Sequence, residues 1–190
     1  MEAPTKYKAW EHQKELKKKD IPSREEIRMM AQSLPNDRLK ALFVILYLTA
    51  ARITEVVKVL KVGNIVKTEY AERKLILITI PNRKNRERTQ KQIPIPIEKE
   101  RDLLELMLPY VNSFTTLDTV LFPFSDRRAY QLLSKYLDLN PHWIRHIRLT
   151  HLVTIHDLNE ALLNRFAGWT DGRPAKNYLE LRWKDILQKY

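Results

Sequence analysis

Ala41-Leu-Phe-Val-Ile-Leu-Tyr-Leu-Thr-Ala-Ala-Arg-Ile-Thr-Glu55 sets the longest apolar run of the chain, Ala41 to Ala51, directly against a charged pair, Arg52 and Glu55. From Leu39 to Leu48 nearly every residue is apolar, so the helix these residues form must be covered on all sides and stand at the centre of the fold. Eleven residues with Thr49 among them are too few to span a bilayer, which needs about 18 to 20 apolar residues. An arginine at the edge of such a run needs a partner, because an unpaired charge near a core costs several kcal/mol. Glu55, three residues on, is placed to supply it.

Outward from this helix the chain reads as mainly helical. Ser23 and Glu26 form a capping box that opens a helix through about Leu34. Pro35-Asn36-Asp37 stops it and starts the central helix, and a short helix is expected over Ile53–Leu60. The period then changes. Lys74–Ile80 and Lys91–Ile97 are short and β-branched around the polar link Pro81–Gln90, which predicts a β-hairpin. Pro94 and Pro96 make the second strand an edge or an interrupted one. Further helices are expected over Glu98–Val111, Ser125–Leu137, Trp143–Ile155, Asp157–Ala167 and Pro174–Lys189. Asp157 is expected to cap the fourth of these, Gly168 to end it, and Pro174 to open the last. The fold class is therefore mainly α with a small antiparallel β-sheet, in one domain over residues 23–190. Residues 1–22 are polar and charge-rich and read as an arm or linker.

Composition narrows the function. The 190 residues carry 34 Lys+Arg against 23 Asp+Glu, a formal charge of +11. A basic domain of this kind (pI ≈ 9.8) has the electrostatic footprint of a nucleic-acid binder. There is no cysteine, which excludes disulfides, thiolate metal sites and thiol catalysis. Met1 to Lys8 lacks the apolar stretch of a signal peptide, so a cytoplasmic protein is expected.

Three segments carry chemistry. Four of the five histidines lie between His142 and His156. His142 and His146, four apart, would reach one metal ion, but neither a cysteine nor a carboxylate shares their face, so no metal is expected. By helical spacing Trp143, Ile144 and Ile147 should face the core and hold His142, Arg145 and His146 outward, a guanidinium beside an imidazole suited to phosphate. The hairpin tip, Pro81-Asn-Arg-Lys-Asn-Arg-Glu-Arg-Thr-Gln-Lys91, holds five basic residues and one acid and suits a nucleic-acid groove or a solvated turn equally. Arg83, Arg86, Arg88 and Lys91 are its candidate DNA-binding residues.

The order Thr49-Ala-Ala-Arg-Ile-Thr-Glu55, a lysine-bearing hairpin tip, Pro141-His-Trp-Ile-Arg-His146, Ala167-Gly-Trp169 and Tyr178 resembles the catalytic domain of tyrosine recombinases, the phage-integrase family. The resemblance runs from Ser23 to Lys189. It implies that Arg52 and Arg145 grip the non-bridging oxygens of a scissile phosphate. It further implies that His142 is the histidine of a His-Xaa-Xaa-Arg motif and that Trp169 stands where most members have His. Lys84 would protonate the leaving oxygen, with Lys91 as the alternative. Tyr178 would be the nucleophile, and Glu55 and His146 would support the site. The glycine usual before the first arginine is alanine here.

The activity this resemblance implies is that of a site-specific recombinase, forming a 3′-phosphotyrosyl intermediate on double-stranded DNA with no cofactor. It would be monomeric when free and tetrameric on DNA, exchanging C-terminal helices through a stripe of Leu179, Trp183, Ile186, Leu187 and Tyr190. Members usually carry an N-terminal core-binding domain, for which residues 1–22 are too short. The Ile/Lys/Arg-rich composition and His142-Trp-Ile-Arg-His146 resemble archaeal or archaeal-virus integrases. The rival readings are a type IB topoisomerase and a non-catalytic basic DNA-binding domain.

Overall fold

The computed structural model describes residues 21–81 and 90–169. The arm before residue 21, the tip residues Arg83, Lys84, Arg86 and Arg88, the helix expected over Pro174–Lys189 and Tyr178 lie outside the described residues.

Helix α1 (Arg24–Ser33) starts at the Ser23–Glu26 capping box, and α2 (Asp37–Thr49) is capped by the Asn36 side chain, which accepts from Leu39 N. Every residue from Ala41 to Ala51 is buried. That burial is achieved by surrounding α2 with α1, with α4 (Ile97–Asn112) and with α6 (Pro141–Thr154). A core of this extent supplies most of the stabilisation, at about 25 cal/mol per Å² of apolar surface.

At the C-terminal end of α2 the chain turns sharply. Ala50 takes the left-handed conformation, φ 46° and ψ 32°, and sends Arg52 to the N-cap of α3 (Ile53–Val56). This conformation costs an L-residue with a Cβ about 1–2 kcal/mol, whereas glycine pays only its greater unfolded entropy, about 0.5–1 kcal/mol. Ala50→Gly is therefore expected to stabilise the fold by about 0.5–1 kcal/mol and raise Tm by roughly 2–3 °C in thermal unfolding. A lower Tm would contradict this account of the turn.

The sheet has three strands in the order β1-β2-β3, all antiparallel: β1 (Ile65–Tyr70), β2 (Arg73–Pro81) and β3 (Gln90–Pro96). The expected hairpin is β2–β3, and β1 is an addition that the sequence did not announce. It joins β2 through a two-residue loop in which Ala71 and Glu72 both have positive φ (48° and 64°). Such a turn is normally signalled by Asn-Gly. As expected, β3 is an edge strand, which is where Pro94 and Pro96 are tolerated. Its core-facing row continues that of β2: Ile95 opposite Ile76, Ile93 opposite Ile78 and Lys91 opposite Ile80.

Helices α5 (Asp126–Leu137), α6 and α7 (Glu160–Ala167) complete the described fold, an α+β arrangement. Several boundaries differ from expectation. α3 ends at Val56 rather than Leu60, because Val57 is already extended (φ −67°, ψ 135°) and Lys58 follows at φ 64°. α6 begins at Pro141, with Asn140 as cap and proline in the first turn. α7 is capped by Asn159, which accepts from Leu162 N; Asp157 instead sits in the turn at φ 52°. Gly168 ends α7 in the left-handed conformation, as expected.

Candidate active site

The C-terminal turn of α2 organises the site, because two cationic side chains bind its backbone and a third follows it directly in the chain. Lys91 Nζ donates to Thr49 O at 2.8 Å. Arg145, on α6, donates through Nη1 to the next carbonyl, Ala50 O, and through Nη2 to Ala167 O at 2.9 Å. Arg52 follows two residues later, where Glu55 accepts both its backbone N–H and its Nη1, each at 2.8 Å. The pairing of Arg52 with Glu55 is thus a clasp around one turn of α3, with the guanidinium still about 29% exposed.

Arg145 does not point outward as helical spacing predicted. It is 7% exposed, since α6 is covered on two sides, by the α2 turn and by the end of α7. Ile144 and Ile147 are fully buried, and His142 and His146 are exposed. Trp143 does not lie opposite His146 but stacks on it, centroids 4.8 Å apart and planes at 14°, because residues three apart share a helix face. Trp169, 43% exposed, lies with its ring 5.9 Å from the Arg145 guanidinium carbon.

Lys91 is partly buried, with Nζ 5.4 Å from the Phe166 ring centroid. Burial, and then the positive charge of Arg145, pull its ammonium down from the ordinary lysine value of 10.5 to about 7; Glu55 opposes this and Arg52 adds to it. Burial and Arg52 likewise disfavour the charge on Arg145, yet an arginine stays protonated at neutral pH. Two guanidiniums and an amine around a single carboxylate leave a surplus of positive charge facing one spot. That surplus is relieved by an anion with several acceptor oxygens, which is what a phosphodiester presents.

The structure brings Arg52, Glu55, Arg145, Trp169 and Lys91 into one cluster, and carries His142 one turn before Arg145 on α6. Lys84, Arg83, Arg86, Arg88 and Tyr178 lie outside the described residues. Lys91, the alternative hairpin lysine, was legible by parity: it shares the inward face of β3 with Ile93 and Ile95, and a lysine on a core-facing row is a held lysine. Among the described residues no group of three or more His, Asp or Glu is arranged to hold a metal.

Behind the site lies a charged network that sequence reasoning missed. Glu100, 1% exposed, forms an ion pair with the fully buried Arg148 at 2.9 Å and another with Arg24 at 2.7 Å, and Arg24 also donates to Asp102 at 2.7 Å. Tyr47 Oη lies 2.7 Å from His151 Nδ1. The two groups share one hydrogen bond, whose direction follows the imidazole tautomer. Burial and Arg148 keep that imidazole below its ordinary value, hence neutral.

The element order, the antiparallel sheet between two sets of helices and the placement of the α2 turn against α6 define a tyrosine-recombinase-like fold. Among solved structures, the chain is similar to the XerH site-specific recombinase bound to difH substrate in a pre-cleavage complex. That match has a TM-score of 0.59 and 15% identity over 86% of this chain and 50% of that one. It is also similar to XerH on a palindromic difH substrate in a post-cleavage complex (TM-score 0.58, 15% identity, 77% of this chain and 44% of that one). The chain thus spans about half the length of these neighbours. No family model and no curated protein sequence matches it. No helix among the described residues is long and apolar enough to cross a membrane.

Proposed function

We propose that this chain is the catalytic part of a site-specific DNA recombinase of the integrase type, cleaving and rejoining strands through a 3′-phosphotyrosyl bond. The observation that carries the reading is the convergence of Arg145, Lys91 and the Arg52–Glu55 pair at the α2 turn, within a fold shared with a recombinase. Arg52 and Arg145 hold the non-bridging oxygens, where charge grows in the transition state, and the Trp169 indole N–H adds a donor. Tyr178 Oη forms a bond to phosphorus as the bond from phosphorus to O5′ breaks. The tyrosyl proton passes to His142, and O5′ takes a proton from Lys91 Nζ. Lys91 replaces Lys84 in this role because it already stands beside both arginines. Rejoining is the reverse, with the phosphodiester energy conserved in the tyrosyl ester, so neither ATP nor metal is consumed.

Around this centre, the tip residues Arg83, Arg86 and Arg88 contact the DNA backbone, and His146 steadies the N-terminal half of α6 through its stack on Trp143. The assembled form is a tetramer on two duplexes linked by exchanged C-terminal helices, a reading supported by the apolar stripe from Leu179 to Tyr190. The resemblance to archaeal and archaeal-virus integrases rests on composition and the His142–His146 segment.

The proton donor gives the test. Lys91 must be protonated to act, so single-turnover cleavage of a nicked suicide duplex should be fast below pH 7 and fall as the pH rises through about 7. In Lys91→Arg the rate should be low throughout and that descending limb absent. A wild-type profile in Lys91→Arg would overturn the assignment, and no cleavage at any pH would overturn the function.

A further inference from the structure

We propose that the site has a second activity, on DNA carrying an abasic deoxyribose: Lys91 Nζ condenses with the C1′ aldehyde of a nucleotide whose phosphate is held by Arg52 and Arg145. The inference rests on the reading of this cluster as a cradle for DNA phosphate, but not on Tyr178. Its basis is the spacing on the α2 turn. Lys91 Nζ and Arg145 Nη1 are bound to consecutive carbonyls, Thr49 O and Ala50 O, so a phosphate on the guanidinium puts the adjoining sugar beside the amine. The same lysine is partly buried, with Nζ 5.4 Å from the Phe166 ring centroid. The 2.8 Å bond to Thr49 O holds the amine in place at the α2 turn. The same surroundings, burial with Arg145 and Arg52 on one side and Glu55 on the other, hold the amine near 7 and keep a large fraction unprotonated at neutral pH, the form that is nucleophilic.

The chemistry closes without any further reactant. The amine nitrogen adds to C1′, and the carbonyl oxygen departs as water, carrying both amine protons, to leave a C=N bond. Protonated on nitrogen, that imine acidifies C2′–H. Loss of this proton to solvent expels the 3′-phosphate, which leaves with the C3′–O electron pair. Water then hydrolyses the unsaturated imine and returns the lysine. One side chain therefore serves two chemistries: its ammonium donates a proton to a leaving oxygen, and its free amine captures an aldehyde.

The experiment uses the full chain carrying Tyr178→Phe, so that no phosphotyrosyl bond contributes, on a duplex with one natural abasic site, reduced with borohydride. A borohydride-dependent adduct is expected, with the reduced linkage mapping to Lys91 by peptide mass spectrometry. It should fall at least tenfold when Lys91→Arg is added, and be missing on a duplex whose abasic site is a tetrahydrofuran lacking the aldehyde. An adduct mapping to Lys84 or spread over other lysines overturns the proposal, as does no adduct from protein that binds the duplex in a gel shift. Mapping on the parent chain makes the result independent of whether Lys91→Arg folds. The phosphotyrosyl reading fails separately, when the chain with Tyr178 intact gives no detergent-stable adduct on undamaged DNA without borohydride.

Discussion

Replacing Arg145 with lysine is expected to reduce single-turnover cleavage by about 10²–10³-fold, the usual loss when one preorganised donor to a developing oxyanion is removed. The charge is kept, so a purely electrostatic role would tolerate the change. What is lost is the fork. Arg145 spends one N–H on Ala50 O and another on Ala167 O, and its remaining donors stay aimed because those two bonds fix the plane. A lysine ammonium is a single point on a flexible stem, unable to tie α2 to the end of α7 and still present parallel donors to phosphate. DNA affinity should change far less than rate, since most of it comes from other backbone contacts. An Arg145→Lys variant that is folded by circular dichroism and cleaves at the wild-type rate would remove Arg145 from the mechanism.

The second large effect is on stability. Glu100→Gln is expected to cost about 3–5 kcal/mol, because it removes the carboxylate charge from an ion pair with a fully buried arginine. Glu100 is the carboxylate shared by Arg148, which is fully buried, and Arg24. Asp102 still serves Arg24 after the substitution, whereas the ion pair of Arg148 is made with Glu100 itself. Tm should drop by about 10 °C, at roughly 2–4 °C per kcal/mol for a domain of this size. Combining Glu100→Gln with Arg148→Met should recover most of the loss, since removing both charges removes the desolvation penalty with them. An additive double variant would show that the pair is not coupled. The network also matters to the site, because Arg148 and Arg145 lie one turn apart on α6.

Much of this architecture could be read in the chain. The capping box at Ser23 and Glu26, the unbroken apolar face of α2, the Arg52–Glu55 clasp and the glycine at the end of α7 are all local signals, set by neighbours three or four residues away. β1 escaped because its turn uses Ala71 and Glu72 at positive φ, where composition gives no hint. Arg145 was placed on the correct helix but with the wrong exposure: periodicity assigns one buried face, whereas α6 is covered on two. Its acceptors, Ala50 O and Ala167 O, are backbone atoms and carry no sequence signature. The Glu100–Arg148 pair joins residues on different helices far apart in the chain, a separation at which only the folded protein can match them. Lys91 is the instructive case. Its place on the inward row of β3 with Ile93 and Ile95 follows from period-two alternation, a signal the sequence holds, while Lys84, the resemblance's first choice, lies outside the described residues.

The central claim is that Tyr178 attacks phosphorus and passes the strand to a new partner. It is tested most directly by incubating the full chain with a labelled suicide duplex and a second, unlabelled duplex, then resolving the products under denaturing conditions. The predicted result is a detergent-stable protein–DNA adduct that maps to Tyr178, its loss in Tyr178→Phe, and joining of the labelled strand to the second duplex. Equal adduct from both proteins, or relaxation of supercoiled DNA with no strand joined between duplexes, would contradict it.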